Sequence, residues 1–333
     1  MKAKPEASER LGEFELIARI FAPLARGAPG AFDLTDDVAL LCPPPGHEIV
    51  LKTDSLIEGV HFRRDDPPST VGRKALRRAL SDMAAKGAES AGYLLALALP
   101  EWPDTKWLEA FGHGLSLDQA EFGVSLFGGE TNATPGPVTI TITAIGFVPE
   151  GKLIRRKGAA AGDLVFVTGT IGDAGAGLAV LTQHAAANSG PAWESLISRY
   201  RTPTPRLAFG RALRGCASAS IDVSDGLLAD LGHVADASGV RVEIEAEAVP
   251  LSPELQQFWG GDLDSRLRAA TAGDDYEIAF TAPPSSVSVI RKIAGGTSTE
   301  VTQIGRVVSG LGVGILDGAG AEIPVKHRGY THF

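Results

Sequence analysis

From Glu48 onward, runs with a hydrophobic period of two residues and runs with a period near 3.6 follow one another along the chain. That alternation restricts it to folds that mix strands with helices. EIVLKTDSL (48–56) alternates apolar and polar residues as a strand does, with Thr53 and Asp54 near its end. Thr70 to Lys86 turns Ala75, Leu76, Ala79, Leu80 and Met83 to one side, the pattern of a helix. The apolar run from Tyr93 to Pro100 suits a buried strand, and a helix is predicted from about Asp104 to Phe122 with Asp104 as its N-cap. VSLFGGET and VTITITAIGFV add two more strands. Upstream, Phe14, Ile17, Ala18 and Phe21 have the spacing of one helix face.

The segment Pro149-Glu150-Gly151 divides the pattern, giving expected domains at 1–149 and 150–333. Beyond it GDLVFVTG reads as a strand, GDAGAGLAVL as a glycine turn into a helix, and a further helical stretch stops at Thr202-Pro203-Thr204-Pro205. RLAFGRALRG (helix), SASIDVS (strand), GLLADLGHVADASG (helix), VRVEIEAE (strand), YEIAFTAP (strand) and a short helix near Ser286 to Ile293 follow. The expected class is α/β (α+β) with two lobes, and no repeat of 20–50 residues is present.

With 31 basic and 40 acidic side chains in 333 residues, the chain carries a formal charge of −9. Nucleic acid is therefore a poor partner, because phosphate contacts need clustered Lys and Arg. Cys42 and Cys216 provide neither a disulfide framework nor a zinc-ligand spacing, which points to a reducing cytoplasm. The N-terminal segment lacks the apolar core of a secretory signal, and no apolar run is long enough to span a bilayer, so no membrane partner is expected.

GxxxxGK[ST], GxSxG and HExxH do not occur, and the glycines after VFVTG do not form GxGxxG. What remains is a series of carboxylates at strand ends and on helices: Asp36-Asp37, Asp54, Asp82, Glu130 after Gly128-Gly129, Asp222 and Asp225 around Ser224, and Asp274-Asp275. Acidic residues in glycine-rich turns suit hard divalent cations, and Mg²⁺ in particular combines carboxylate oxygens with substrate phosphates. A single Asp at a strand–helix junction is more often an N-cap than a metal ligand, and Asp225 could cap GLLADL. Lys52, Arg77, Arg78 and Arg156 could simply be solvated charges, and His61 a surface histidine.

Taken in order, GEFELIARIF, TDDVALL, TDSLIEGVHF, ALSDMAAKGA, LFGGET, RRKGAAAGDLVFVTGTIGDAGAGL, PRLAFG, IDVSDGLLADL, GDDYEIAF and GYTHF resemble the thiamine-monophosphate kinases. These belong to the superfamily that includes aminoimidazole ribonucleotide synthetase and selenophosphate synthetase. The similarity runs from about Gly12 to Phe333. It implies a cytoplasmic homodimer whose N-terminal domains bind ATP and Mg²⁺ and pair their sheets across the dimer. The C-terminal domain would add phosphate, metal and substrate contacts. The implied reaction moves the γ-phosphoryl of ATP onto the phosphate of thiamine monophosphate, in line and with several Mg²⁺ ions.

By the same resemblance Asp37, Thr53, Asp54, Asp82, Glu130, Asp222 and Asp225 correspond to magnesium ligands, Asp222 and Asp225 acting with Arg156 in catalysis. Gly129, Glu130, Arg156 and Ser224 correspond to nucleotide and phosphate contacts, and His61, Asp274 and His327 to thiamine-phosphate contacts. The chain departs from the family pattern at Thr35 (for Gly), Lys52 (for a small hydroxyl residue), Ala79 (for Asn), Glu130 (for Asp), Asp274 (for Glu) and His327 (for an aromatic residue). Two alternatives stay open: the same fold acting on another small phosphorylated metabolite, and a silent Mg-nucleotide-binding paralogue.

Overall fold

A computed structural model describes residues 11–101, 103–183 and 190–331; the last two residues of GYTHF lie outside the described residues. The chain forms two compact units, residues 1–79 with 90–147, and residues 80–89 with 148–333. The architecture is mixed α/β, as the alternating periods require.

The first unit opens with α1 (Glu13–Leu16), a π-helical turn over Ile17–Phe21, and α2 (Ala22–Ala25). The wider π turn shifts the helix phase. Leu16, Ile20, Phe21, Leu24 and Ala25 are buried, whereas Phe14 is 83% exposed, so the face expected from Phe14, Ile17, Ala18 and Phe21 is corrected. Next come β1 (His47–Ile57), α3 (Pro68–Ala85), β2 (Glu89–Leu99), α4 (Thr105–Phe122), β3 (Ser125–Ala133) and β4 (Thr139–Pro149). The sheet order is β1-β4-β2-β3. β2 and β3 are parallel, so α4 is the crossover that parallel pairing needs. Asp104 caps α4 as expected, accepting from Trp107 N at 2.9 Å, and Gly123 ends it in the left-handed conformation (φ 68°). The inward face read for α3 is fully buried.

The second unit contains β5 (Leu164–Thr168), α5 (Asp173–Thr182), α6 (Pro191–Arg201), α7 (Leu207–Ala212), β6 (Ala219–Asp222), α8 (Leu227–Ser238) and β7 (Arg241–Glu245). These are followed by α9 (Pro253–Trp259), α10 (Leu263–Thr271), β8 (Ile278–Ala282), α11 (Val287–Gly296), β9 (Val301–Val308) and β10 (Gly312–Leu316). Its sheet runs β10-β7-β9-β5-β8-β6, with β10 parallel to β7 and the other pairs antiparallel.

Neighbouring residues of β5 feed different cores: Val165 and Val167 join one with Leu228 and Leu231, while Phe166 joins another with Phe209, Phe280 and Ile290. Ala84 and Ala85 from the end of α3 belong to this second cluster, which is why residues 80–89 go with the second unit. Helix α7 crosses so closely that a Cβ on Gly210 would lie 1.9 Å from Ala84 O. No helix among the described residues is long and apolar enough to cross a membrane.

Candidate active site

In the first unit a cavity of about 840 Å³ is lined by Asp36, Asp37, Gly128, Gly129, Glu130 and Thr143, among others. Asp36 and Asp37 follow a turn in which Phe32, Asp33 and Leu34 are all left-handed (φ 51°, 53° and 57°). Each such residue costs roughly 1–2 kcal/mol, so the approach to the aspartates holds local strain. The Asp37 amide donates to Asp36 Oδ1 at 2.7 Å, and Leu40 N closes the loop on Gly30 O at 2.8 Å.

On the far wall β3 comes so close to β2 that a Cβ on Gly129 would lie 1.7 Å from Leu95 O. Gly129→Ala is expected to cost about 1–3 kcal/mol or more by overpacking, seen as a lower thermal midpoint. A midpoint equal to wild type would show that the two strands separate easily.

Strand alternation divides Thr53 from Asp54. Thr53 Oγ1 pairs with Thr143 Oγ1 at 2.9 Å, on the face where Thr143 lines the cavity. Asp54 lies on the opposite face beside Lys52, whose Nζ is 3.2 Å from its Oδ1. His61 Nδ1 accepts from Ile57 N at 3.0 Å, which leaves the proton of a neutral ring on Nε2. Its carbonyl accepts from the buried Lys74 at 3.0 Å.

In the second unit two turns are joined beyond the ends of β6 and β8. Asp222 ends β6 and is 4% exposed. Val223 N donates to Glu277 O, Tyr276 N to Val223 O and Asp274 N to Ser224 O, each at 2.8 Å. Asp222, Ser224, Asp225 and Asp274 therefore share one hydrogen-bonded platform. Tyr276 Oη donates to Asp274 Oδ1 at 2.9 Å, and both residues have positive φ (53° and 70°). Helix α3 reaches this platform through Ser81, whose hydroxyl donates to Tyr276 O at 3.4 Å, and Asp82 is the next residue of that helix. The C-terminal segment reaches it too: Tyr330 N donates to Asp225 O at 2.9 Å, with the exposed His327 three residues earlier. Arg156 is exposed, and its carbonyl accepts from Ser238 Oγ at 3.3 Å.

Three further carboxylates underlie this platform: Asp230 and Glu277, to which the sequence reading gave no role, and Asp275, which it grouped with the candidate cation-binding acids. Asp230, 2% exposed on α8, accepts from the amides of Ser224, Asp225 and Gly226. Burial, and then the negative charge of Asp225, push it up to about 7 against those three donors. Asp275 accepts from Gly172 N and Ala174 N at the start of α5; burial outweighs these bonds and raises it well above the usual carboxylate range. Glu277, fully buried, accepts from Arg199, Arg206 and Thr168. The signal available for all three was an acidic residue inside an apolar motif, where a charge persists only with partners.

Among the described residues no three His, Cys, Asp or Glu side chains converge to hold a metal unaided. The donors are nonetheless hard oxygens carried singly or in pairs, which fits Mg²⁺, a cation that commonly uses one or two carboxylates and completes its shell with water and phosphate oxygens.

A glycine-lined cavity, a carboxylate platform and a two-unit α/β architecture define a class: residues 35–148 match the N-terminal domain of AIR synthase related proteins, and residues 160–317 match their C-terminal domain. Within that class, the thiamine-monophosphate kinase of Caulobacter vibrioides is 41% identical over 323 residues, covering 96% of this chain and 90% of that one. The crystal structure of the thiamine-monophosphate kinase from Stenotrophomonas maltophilia K279a aligns with a TM-score of 0.79 at 40% identity, over 85% of this chain and 89% of that one. The structure of AaThiL complexed with AMPPCP and TMP aligns with a TM-score of 0.77 at 32% identity, over 98% and 99% of the two chains. The chain belongs to the thiamine-monophosphate kinase family of enzymes.

Proposed function

We propose that the protein transfers the γ-phosphoryl group of ATP directly to thiamine monophosphate. A phosphate oxygen of the acceptor forms the new bond to phosphorus, the bond to the β–γ bridging oxygen breaks, and thiamine diphosphate and ADP leave. The acceptor oxygen is already anionic, so no general base is required, in keeping with a site built from carboxylates. The observation that carries this reading is the joined platform of Asp222, Ser224, Asp225 and Asp274, in a chain whose relatives include AaThiL complexed with AMPPCP and TMP.

In this reading Asp37, Thr53, Asp54, Asp82, Glu130, Asp222 and Asp225 would hold Mg²⁺. When bound, Mg²⁺ supplies charge neutralisation and alignment of the phosphate oxygens. At Asp54 the ion would compete with the ammonium of Lys52. Gly129 and Ser224 contact the nucleotide phosphates together with Arg156, whose guanidinium fork binds an oxyanion in two places. His61, Asp274 and His327 take the thiamine phosphate, the Asp274 carboxylate answering the cationic thiazolium. Residues 1–149, apart from 80–89 that pack with the second unit, would supply nucleotide and metal contacts, and 150–333 would add phosphate and substrate contacts.

We read the enzyme as a cytoplasmic homodimer. The exposed apolar side chains Ile49 and Leu51 on β1 and Leu94 on β2 give a second copy a surface to cover.

Incubation with ATP, Mg²⁺ and thiamine monophosphate should yield equal amounts of thiamine diphosphate and ADP by mass spectrometry, and none with EDTA. Nucleotide binding without product would argue for the silent paralogue. Glu130→Asp should keep activity within about tenfold, since the carboxylate survives one methylene shorter. Complete loss would show that the longer arm is required.

A further inference from the structure

We infer that Asp230 is a positioning residue that fixes the Ser224–Gly226 turn, and with it the direction of the Ser224 and Asp225 side chains. This rests on the reading of Ser224 and Asp225 as site residues given above.

Helix α8 (Leu227–Ser238) has Gly226 at its N-cap, a residue with no side chain to cap it. The capping group comes from inside the helix. One oxygen of Asp230, Oδ2, accepts from three successive amides: Ser224 N at 2.9 Å, Asp225 N at 3.1 Å and Gly226 N at 3.2 Å. Successive amides converging on one point form an anion nest, and here the protein fills the nest with its own carboxylate.

An acidic residue in the first helical turn can favour the helix from the surface, where its charge stays hydrated. Asp230 is instead 2% exposed, between Leu228 and Leu231, which are buried in the core. Burying a carboxylate is costly unless its lone pairs are used, and its bonds go to the turn.

The carbonyls of the same turn are held from the other side. Ser224 O accepts from Asp274 N at 2.8 Å, and Asp225 O accepts from Tyr330 N at 2.9 Å. Amides fixed inward and carbonyls fixed outward set the peptide planes of residues 224–226. The side chains of Ser224 and Asp225 are left half-exposed and aimed by a backbone that cannot rotate.

The test compares full-length wild type, Asp230→Asn and Asp230→Ala. Amide hydrogen exchange of the peptide spanning residues 222–228 is followed without Mg²⁺ or substrate, and thiamine diphosphate formation is followed against Mg²⁺ concentration. Asp230→Ala should accelerate exchange of the turn amides at least about tenfold. It should also raise half-saturating Mg²⁺ about 10–100-fold, while the KM for thiamine monophosphate moves less than about threefold. Asp230→Asn keeps one acceptor oxygen and the same shape, so it should fold normally and fall between the two on both readouts. Exchange unchanged in both variants overturns the inference, as does a loss of activity that tracks the thermal midpoint alone. Wild type inactive toward thiamine monophosphate, with exchange faster in Asp230→Ala, would defeat the proposed reaction and leave the positioning role standing.

Discussion

Glu277→Gln is expected to remove about 3–5 kcal/mol of stability at neutral pH, the range for breaking a buried ion pair from one side. The carboxylate is fully buried, with Arg206 Nε at 2.7 Å, Arg206 Nη2 at 2.6 Å, Arg199 Nη2 at 2.8 Å and Thr168 Oγ1 at 2.6 Å. A neutral amide takes the counter-charge from Arg206 and leaves Arg199 with only the more distant Asp173, at 3.8 Å. At about 2–4 °C per kcal/mol for a domain of 150–250 residues, the thermal midpoint should fall by roughly 6–20 °C.

The pH dependence has a definite sign. Burial pushes the Glu277 carboxyl up, but the Arg206 hydrogen bonds and the charges of Arg199 and Arg206 outweigh it and hold the group below its ordinary value. The unfolded chain then takes up the proton at a higher pH than the folded chain. The stabilisation is complete above the ordinary glutamate range and is lost as pH falls through the folded value. Denaturant melts should show the gap between wild type and Glu277→Gln wide at pH 7 and narrowing below about pH 4. Equal midpoints at neutral pH would mean that the arginines find other partners.

Asp222→Asn and Asp225→Asn should each lower kcat/KM for thiamine monophosphate by at least about 10²–10³-fold, the scale of losing one group that stabilises charge developing in the transition state. Asparagine has the same shape, so circular dichroism and thermal midpoint should stay close to wild type, which separates chemistry from folding. Asp222 ends β6 at a buried position, and Asp225 sits on the hydrogen-bonded turn that follows. A rate within threefold of wild type in either variant would remove that residue from the metal set.

Much of the fold was legible because period and capping are local signals. Helices α3 and α4, the Asp104 cap and the strands β1 to β6 all follow from spacing along a single segment. The π turn at Ile17–Phe21 was not legible, because a wider turn changes phase without changing residue types. Helices α9 and α10 went unread although each starts at a side-chain cap: Ser252 accepts from Leu255 N, and Asp262 from Ser265 N. Their apolar faces are too short for a clear period.

The site was legible as a set of acidic turns but not as an arrangement. Period two already implies that Thr53 and Asp54 face opposite ways. The hydrogen bonding of the Ser224 turn to the Asp274 turn joins residues fifty positions apart, and nothing in either motif announces it. Asp230 and Glu277 look like surface acids, and Asp275 like a partner of Asp274 in binding a cation, until burial and donors are known.

The cluster formed by Ala84, Ala85, Ile154, Phe209 and Leu213 has a consequence for how the protein is made. The second unit is assembled from two stretches of chain, one ending at Glu89 and one starting at Val148. During synthesis the earlier stretch emerges well before its packing partners and must wait for them with its alanines uncovered. Closing that core brings together distant parts of the sequence, a slow kind of contact. A gene divided near residue 149 would therefore yield one product with an orphaned apolar helix end and another with a gap in its core, rather than two self-sufficient domains.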